Sequence, residues 1–291
     1  MNTLFIIIHK VIIALLVLSL LSSCNEQQQP ELLTHIRVAV LPDQNANKMK
    51  QKFDPFMQYL SKVTGKKTSL IIPKSYEELL SLFMDNKIDL ALFGGVTYVE
   101  AHRYHNAVAI LRRNIDKNYR SVFLVKANST GKNIKDFKGK KIAFGSKLST
   151  SGHFMPRYFL KEQNIIPEHY FSEVVYSGAH DRTAELVRDG VVDVGVVHSG
   201  IVHEMYLDGR LKINDVKVLW ETPTFPDYVW VVQDYLLEQD KNIIRDAFLM
   251  LNVRDSYHNK ILQKMGGGYY LHARHEIFSK LEKIVFNSVK K

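Results

Sequence analysis

The sequence predicts an α/β protein of two lobes, each a doubly wound, mostly parallel sheet, with two crossover strands forming a hinge between them. Three observations carry this. Apolar runs of strand length alternate with stretches of helical periodicity. That alternation starts afresh near residue 126 and is interrupted again near residue 225. The chain has 291 residues, 46% of them hydrophobic, which is enough for two cores.

Residues 35–41 (HIRVAVL) read as the first strand and 42–48 as a polar loop. Met49, Phe53, Phe56, Leu60 and Val63 then recur at the spacing of one helix face, which Gly65 ends. Asp54-Pro55 inside that pattern is either a cap with a first-position proline or a kink. Residues 68–72 are a second strand, and Ser75 with Glu78 has capping-box spacing for a helix through Met84. Residues 88–93 (IDLALF) are nearly all apolar, as a strand covered on both faces requires. A helix from near Val96 carries Thr97, Tyr98 and Glu100, and strands at 107–111 and 121–125 follow.

The pattern then restarts. A polar lead-in at 134–140 precedes a strand at 141–144 and a helix whose start is Ser149-Thr150-Ser151-Gly152. Strands at 174–176 and 192–197 flank a helix at 180–188, stopped by Gly190, and another strand lies at 216–220. Pro223, Pro226 and Asp227 interrupt this unit, and 228–233 resumes as a strand. The tail, 242–265 and 273–289, is helical around Gly266-Gly267-Gly268. Lobe 1 is therefore expected at 35–125 plus 226–291 and lobe 2 at 126–225, with the hinge crossovers at 121–126 and 221–229.

Before the first strand, residues 11–20 (VIIALLVLSL) form a short apolar run after Lys10, followed by Leu21-Ser22-Ser23-Cys24 and a polar stretch through Pro30. This pattern predicts a secretory signal over 1–23 and a linker over 24–34. An uncleaved anchor helix competes, since residues 4–21 nearly reach spanning length, although His9 and Lys10 interrupt them. Either reading places the remaining chain outside the cytoplasm at a membrane surface. Cys24 is the one cysteine, which excludes an intrachain disulfide and a cysteine metal cage. The net charge of +9 is spread along the chain, with no basic run interleaved with aromatics. That excludes a nucleic-acid groove and leaves a mild attraction for anions.

Ser149, Thr150, Ser151 and Gly152 carry the chemistry. A helix start leaves its first N–H groups without partners and concentrates partial positive charge, so hydroxyls gathered there make a socket for a small oxyanion. Taken alone, such residues more often only cap the helix, and it is the rest of the chain that favours the socket.

The blocks IDLALFGGVTYVEAH, DFKGKKIAFGSKLSTSGHFMP, YSGAHDRTAELVRDGVVDVGVV and TPTFPDYVWVV resemble, in order and over nearly the whole mature chain, those of periplasmic phosphonate, phosphite and phosphate binding proteins of ABC transporters. Leu21-Ser22-Ser23-Cys24 resembles a bacterial lipobox, which implies lipidation of Cys24 and a lipid anchor in the membrane. The resemblance implies the type II periplasmic-binding fold, no catalysis, no cofactor or metal, and delivery of the ligand to an ABC permease and ATPase. It also implies that a PO3 group sits between the lobes on Ser149, Thr150 and Ser151, reached by His180 and closed upon by Tyr76. Two departures stand out. Phe93 replaces a tyrosine that some members use, with Thr97 or Tyr98 as substitute donors. Gly200 replaces the acidic residue that receives an aminoalkyl ligand, and Asp227 is the remaining carboxylate.

Three other readings compete. Ser149, His180 and Asp181 contain the residue types of a hydrolytic triad, but sequence neighbours diverge and no G-x-S-x-G elbow is present. His198, His203 and Glu204 lack any zinc spacing. The same two-lobed module could also report its ligand to a membrane histidine kinase.

Overall fold

A computed structural model describes residues 32–288. The expected signal, Cys24 and the linker up to residue 31 lie outside the described residues. Among the described residues no helix is long and apolar enough to cross a membrane.

The strands are β1 (His35–Val40), β2 (Lys67–Ile71), β3 (Leu90–Phe93), β4 (Val108–Arg113), β5 (Ser121–Lys126), β6 (Lys141–Phe144), β7 (Glu173–Tyr176), β8 (Val194–His198), β9 (Val216–Glu221), β10 (Val229–Val232) and β11 (Tyr270–His272). They form two sheets, ordered β11-β4-β10-β3-β1-β2 and β7-β6-β8-β5-β9. Within the first, β2, β1 and β3 run parallel and β10 enters antiparallel between β3 and β4. Within the second, β7, β6 and β8 run parallel and β5 enters antiparallel between β8 and β9. Each sheet thus receives one interior strand antiparallel to both its neighbours, and that strand is the one by which the chain has just crossed over; the edge strand β11 of the first sheet also runs antiparallel to β4.

The expected place of β5 is corrected by this pairing. Residues 121–125 belong to the second sheet, not the first, because Ser121–Leu124 pair with His198–Gly195 and the far edge takes β9. The crossings themselves occupy 114–120 and 222–228. They bond to each other, with Tyr119 N–H donating to Phe225 O and Phe225 N–H to Tyr119 O, both at 3.0 Å.

Helices cover both faces of each sheet. In the first, α1 (Ala46–Thr64) is capped by Asn45, whose side chain accepts from Lys48 N–H, and runs unbroken through Pro55. Its Phe53 and Phe56 pack on Trp230 and Phe248, and burial of each such ring contributes about 1.5–3 kcal/mol. On the other face α2 (Tyr76–Met84) and α3 (Gly95–His105) bring Phe83 and Tyr98 against Phe93 and Phe278. The second sheet is covered by a π-helical turn (Thr150–Phe154) continuing into α4 (Met155–Glu162), by α5 (Pro167–Tyr170), and on its other face by α6 (His180–Arg188) and α7 (Ser199–Leu207).

The tail departs from two plain helices. Asp255 accepts from His258 N–H and starts a new helix, so α8 (Glu238–Leu249) and α9 (Ser256–Lys264) are separate. Gly266, Gly267 and Gly268 take positive φ of 99°, 80° and 83°, a reversal that lays β11 on the edge of β4 before α10 (Ser279–Ser288).

Candidate functional site

The site begins where β6 ends. Ser149 is the N-cap of the π-helical turn, its Oγ accepting from Gly152 N–H at 2.9 Å. Phe154 N–H then reaches Ser149 O at 2.9 Å, five residues back, so the first turn is wider than an α-helix. Gly152 makes that width usable. A Cβ there would lie 2.8 Å from His180 Cε1 and 2.9 Å from Ser149 Oγ.

His180 opens α6, its N–H held by Asp43 O at 2.9 Å. Its ring Nδ1 accepts from His198 N–H at 3.2 Å, which leaves the proton on Nε2, 3.5 Å from Ser149 Oγ. Burial pushes this imidazole down to about 3, so it stays neutral and presents an N–H donor. From the first sheet comes Tyr76, which is buried, and burial followed by the fields of Asp43 and Asp227 holds its hydroxyl proton firmly in place.

A second helix start meets the first. Gly94 caps α3, and the next two N–H groups are both taken across the site: Gly95 N–H by Asp227 Oδ1 at 3.0 Å and Val96 N–H by Thr150 Oγ1 at 3.0 Å. A side chain at Gly94 would lie 3.1 Å from Thr150 Oγ1 and 3.2 Å from Asp227 Oδ1, which explains the glycine between strand and helix. Burial pushes Asp227 up to about 6, against the lowering effect of the Gly95 N–H and of the nearby Thr150 and Ser151 hydroxyls. Ser149, Thr150, Ser151, His180, Tyr76 and Asp227 thus come together from both sheets, none more than 2% exposed.

Thr97 and Tyr98 part company. Thr97 Oγ1 donates to Leu148 O at 3.3 Å and so tethers the loop before the socket. Tyr98 points elsewhere, with its hydroxyl 3.2 Å from His275 Nδ1 and its ring against Phe278. Phe93 likewise packs on Phe83 in the core.

Several residues of the site carried no sequence signal. Tyr228 donates to Asp43 Oδ2 at 3.0 Å, and burial pushes Asp43 up to about 6. His198 Nδ1 caps α7 by accepting from Gly200 and Ile201 N–H, both at 3.1 Å, and lies 3.0 Å from the Tyr119 hydroxyl. Asp43 sits in a loop of ordinary polar composition, and a histidine cap belongs to no common capping pattern. The glycine pair Gly94-Gly95 was the one available clue to the second helix start.

What the arrangement offers chemically is a buried group of hydrogen-bond donors, on Tyr76, the Ser and Thr hydroxyls and His180 Nε2. It does not order a proton relay from Ser149. His180 Nδ1 faces a backbone N–H, while Asp181 Oδ2 accepts from Asn45 N–H and from Arg210, each at 3.0 Å. Among the described residues no three His, Cys, Asp or Glu side chains gather as a metal site, and His203 is exposed.

Comparison with known proteins agrees with this geometry. The family described as the phosphonate periplasmic substrate-binding proteins of ABC transporters matches residues 38–276. The probable ABC transporter phosphite binding protein PhnD1 of Prochlorococcus marinus (strain MIT 9301) is 29% identical over 261 residues, 86% of this chain and 88% of its own length. The phosphate-import protein PhnD of Mycolicibacterium smegmatis (strain ATCC 700084 / mc(2)155) is 27% identical over 248 residues, 78% of this chain and 77% of its own. The solved structure of the Prochlorococcus marinus PhnD1 in complex with methylphosphonate superposes with a TM-score of 0.84 at 28% identity, covering 89% of this chain and 99% of that one.

Proposed function

Because the chain belongs to the phosphonate periplasmic substrate-binding proteins of ABC transporters, we propose that it captures a phosphorus oxyanion (a phosphonate, phosphite or phosphate) at the Ser149–Ser151 helix start and hands it to an ABC permease and ATPase. The observation that carries this reading is the buried convergence of Tyr76, from the first sheet, with Ser149 and His180, from the second. Two helix starts, neutral donors and a neutral imidazole favour an anion without adding a fixed positive charge. The two sheets act as lobes that close on the ligand, lobe 1 reaching to residue 120 and resuming near 226, so that the closed form is what the membrane partner meets.

The protein binds without turnover in this reading, since nothing withdraws the Ser149 proton. Residues 1–23 direct secretion, and Cys24 carries the lipid that tethers the chain to the periplasmic or cell-surface face of a bacterial membrane. Titration calorimetry with phosphate, phosphite, methylphosphonate and 2-aminoethylphosphonate tests the central claim. Thr150→Ala and Ser151→Ala should each weaken binding by about tenfold, as loss of one charge-assisted hydrogen bond implies. Absence of heat with all four ligands in the wild-type protein overturns it.

A further inference from the structure

Beside the anion socket lies a cavity of about 280 Å³, lined by Asp43, Lys52 and Phe53 from the first sheet and its helices and by His198 and Glu204 from the second. One water occupies about 30 Å³ of the liquid, so this space exceeds what a hydrogen or methyl group on phosphorus would fill. It meets the socket through His198 and Asp43, both of which line the cavity and touch His180. The His198 and His180 rings stand edge to face at 4.5 Å, and Asp43 O holds His180 N–H.

The ionic groups of this cavity pair off, with one exception. Lys52 Nζ meets Glu204 Oε1 at 3.4 Å. Arg113 grips both oxygens of Asp116, at 3.0 and 2.7 Å. Asp43 is 5% exposed, and while its Oδ2 accepts from Tyr228, its Oδ1 is buried with no donor. Lys52 acts on it only through space. A buried carboxylate oxygen left without a donor is destabilising, and a ligand that brings a donor removes that penalty.

We propose that Asp43 is a specificity-determining residue, whose free Oδ1 receives a hydrogen-bond donor, ammonium or hydroxyl, on the carbon substituent of the bound phosphonate, with that substituent housed in the cavity. The inference rests on the oxyanion reading above and deepens it. Gly200 leaves the second lobe without an acidic partner for such a group, and Asp43 supplies one from the first. Glu204, on the same helix as Gly200, is already taken by Lys52 and by Gln44 Nε2 at 2.7 Å.

The test is a calorimetric ranking of methylphosphonate, hydroxymethylphosphonate and 2-aminoethylphosphonate on the whole protein and on Asp43→Ala. The wild-type protein should bind at least one donor-bearing ligand about tenfold or more tighter than methylphosphonate, and Asp43→Ala should bring that ratio to within about threefold of unity. A wild-type protein that favours methylphosphonate overturns the proposal without recourse to any variant, as does a preference that survives in Asp43→Ala. Failure of all three ligands while phosphate or phosphite still binds overturns this inference alone, and failure of phosphate and phosphite as well overturns the oxyanion reading with it.

Discussion

At Gly152 a missing side chain decides how closely two donors approach. Its open face admits the edge of His180, and a methyl group there would have to push either that ring or Ser149 aside. Gly152→Ala should therefore weaken anion binding by about tenfold or more while the protein still folds, and calorimetry beside a thermal melt separates the two effects. Unchanged affinity would remove His180 from the ligand's surroundings. Asp227 gives the site its pH dependence. An anion seated beside it is held better when the carboxyl is protonated, and burial places that carboxyl near 6 in the free protein. A bound anion raises it further, so affinity should fall as pH rises above about 6, by up to tenfold per unit. Asp227→Asn abolishes this slope. The ratio of the two affinities from about pH 5 to 8 cancels the ligand's own titration, and a ratio that does not change with pH would exclude the carboxyl from the site.

At the scale of elements, helix starts face one another across the two sheets. The π-helical turn and α3 exchange partners through Thr150 and Asp227, and the start of α1 faces α6 and α7. Here Gln44 Nε2 donates to Glu204 at 2.7 Å, Arg210 donates to Gln44 Oε1 at 2.7 Å, Asn45 N–H reaches Asp181, and Lys48 pairs with Asp208 at 3.0 Å. None of these groups lies within the anion socket, and only Glu204 among them lines the cavity beside it, so they act chiefly on closure. Gln44→Ala removes two bonds to charged partners and should lower affinity by about tenfold through the closing equilibrium alone. Small-angle scattering of the free variant should show a more open molecule than wild type. A variant equally compact and equally tight in binding would mean that these bonds do not govern closure.

At the scale of the molecule, the chain passes between the sheets twice, and the two passages are bonded side by side through Tyr119 and Phe225. Each passage ends as an interior strand of the sheet it enters, so neither sheet is complete without a segment that has crossed. The described residues from 33 onward accordingly form one compact unit. Calorimetric unfolding should follow a single transition. Ligand at one hundred times its Kd should stabilise it by about 2.7 kcal/mol, raising Tm by about 5–10 °C. Separate melting of two halves, with only one responding to ligand, would contradict a site built jointly by both sheets.

Most of this architecture was legible in the chain itself, because strands and helices here obey their own periodicities. Residues 88–93 read as a strand covered on both faces from their apolar run, and Ser75 as a cap and Ser149 to Gly152 as a helix start from hydrogen bonds made within a few residues. What local pattern does not encode is which sheet a crossing strand joins, so β5 needed its pairing with β8 and β9 to be placed. The resemblance to a family singled out His180 and Tyr76, but only the fold brought Asp43, Tyr228 and His198 to the same chamber and turned Tyr98 away from it. Burial and long-range pairing are properties of the folded whole, and they alone decide that an aspartate in an ordinary polar loop ends at the wall of a cavity with one oxygen buried and no donor to meet it.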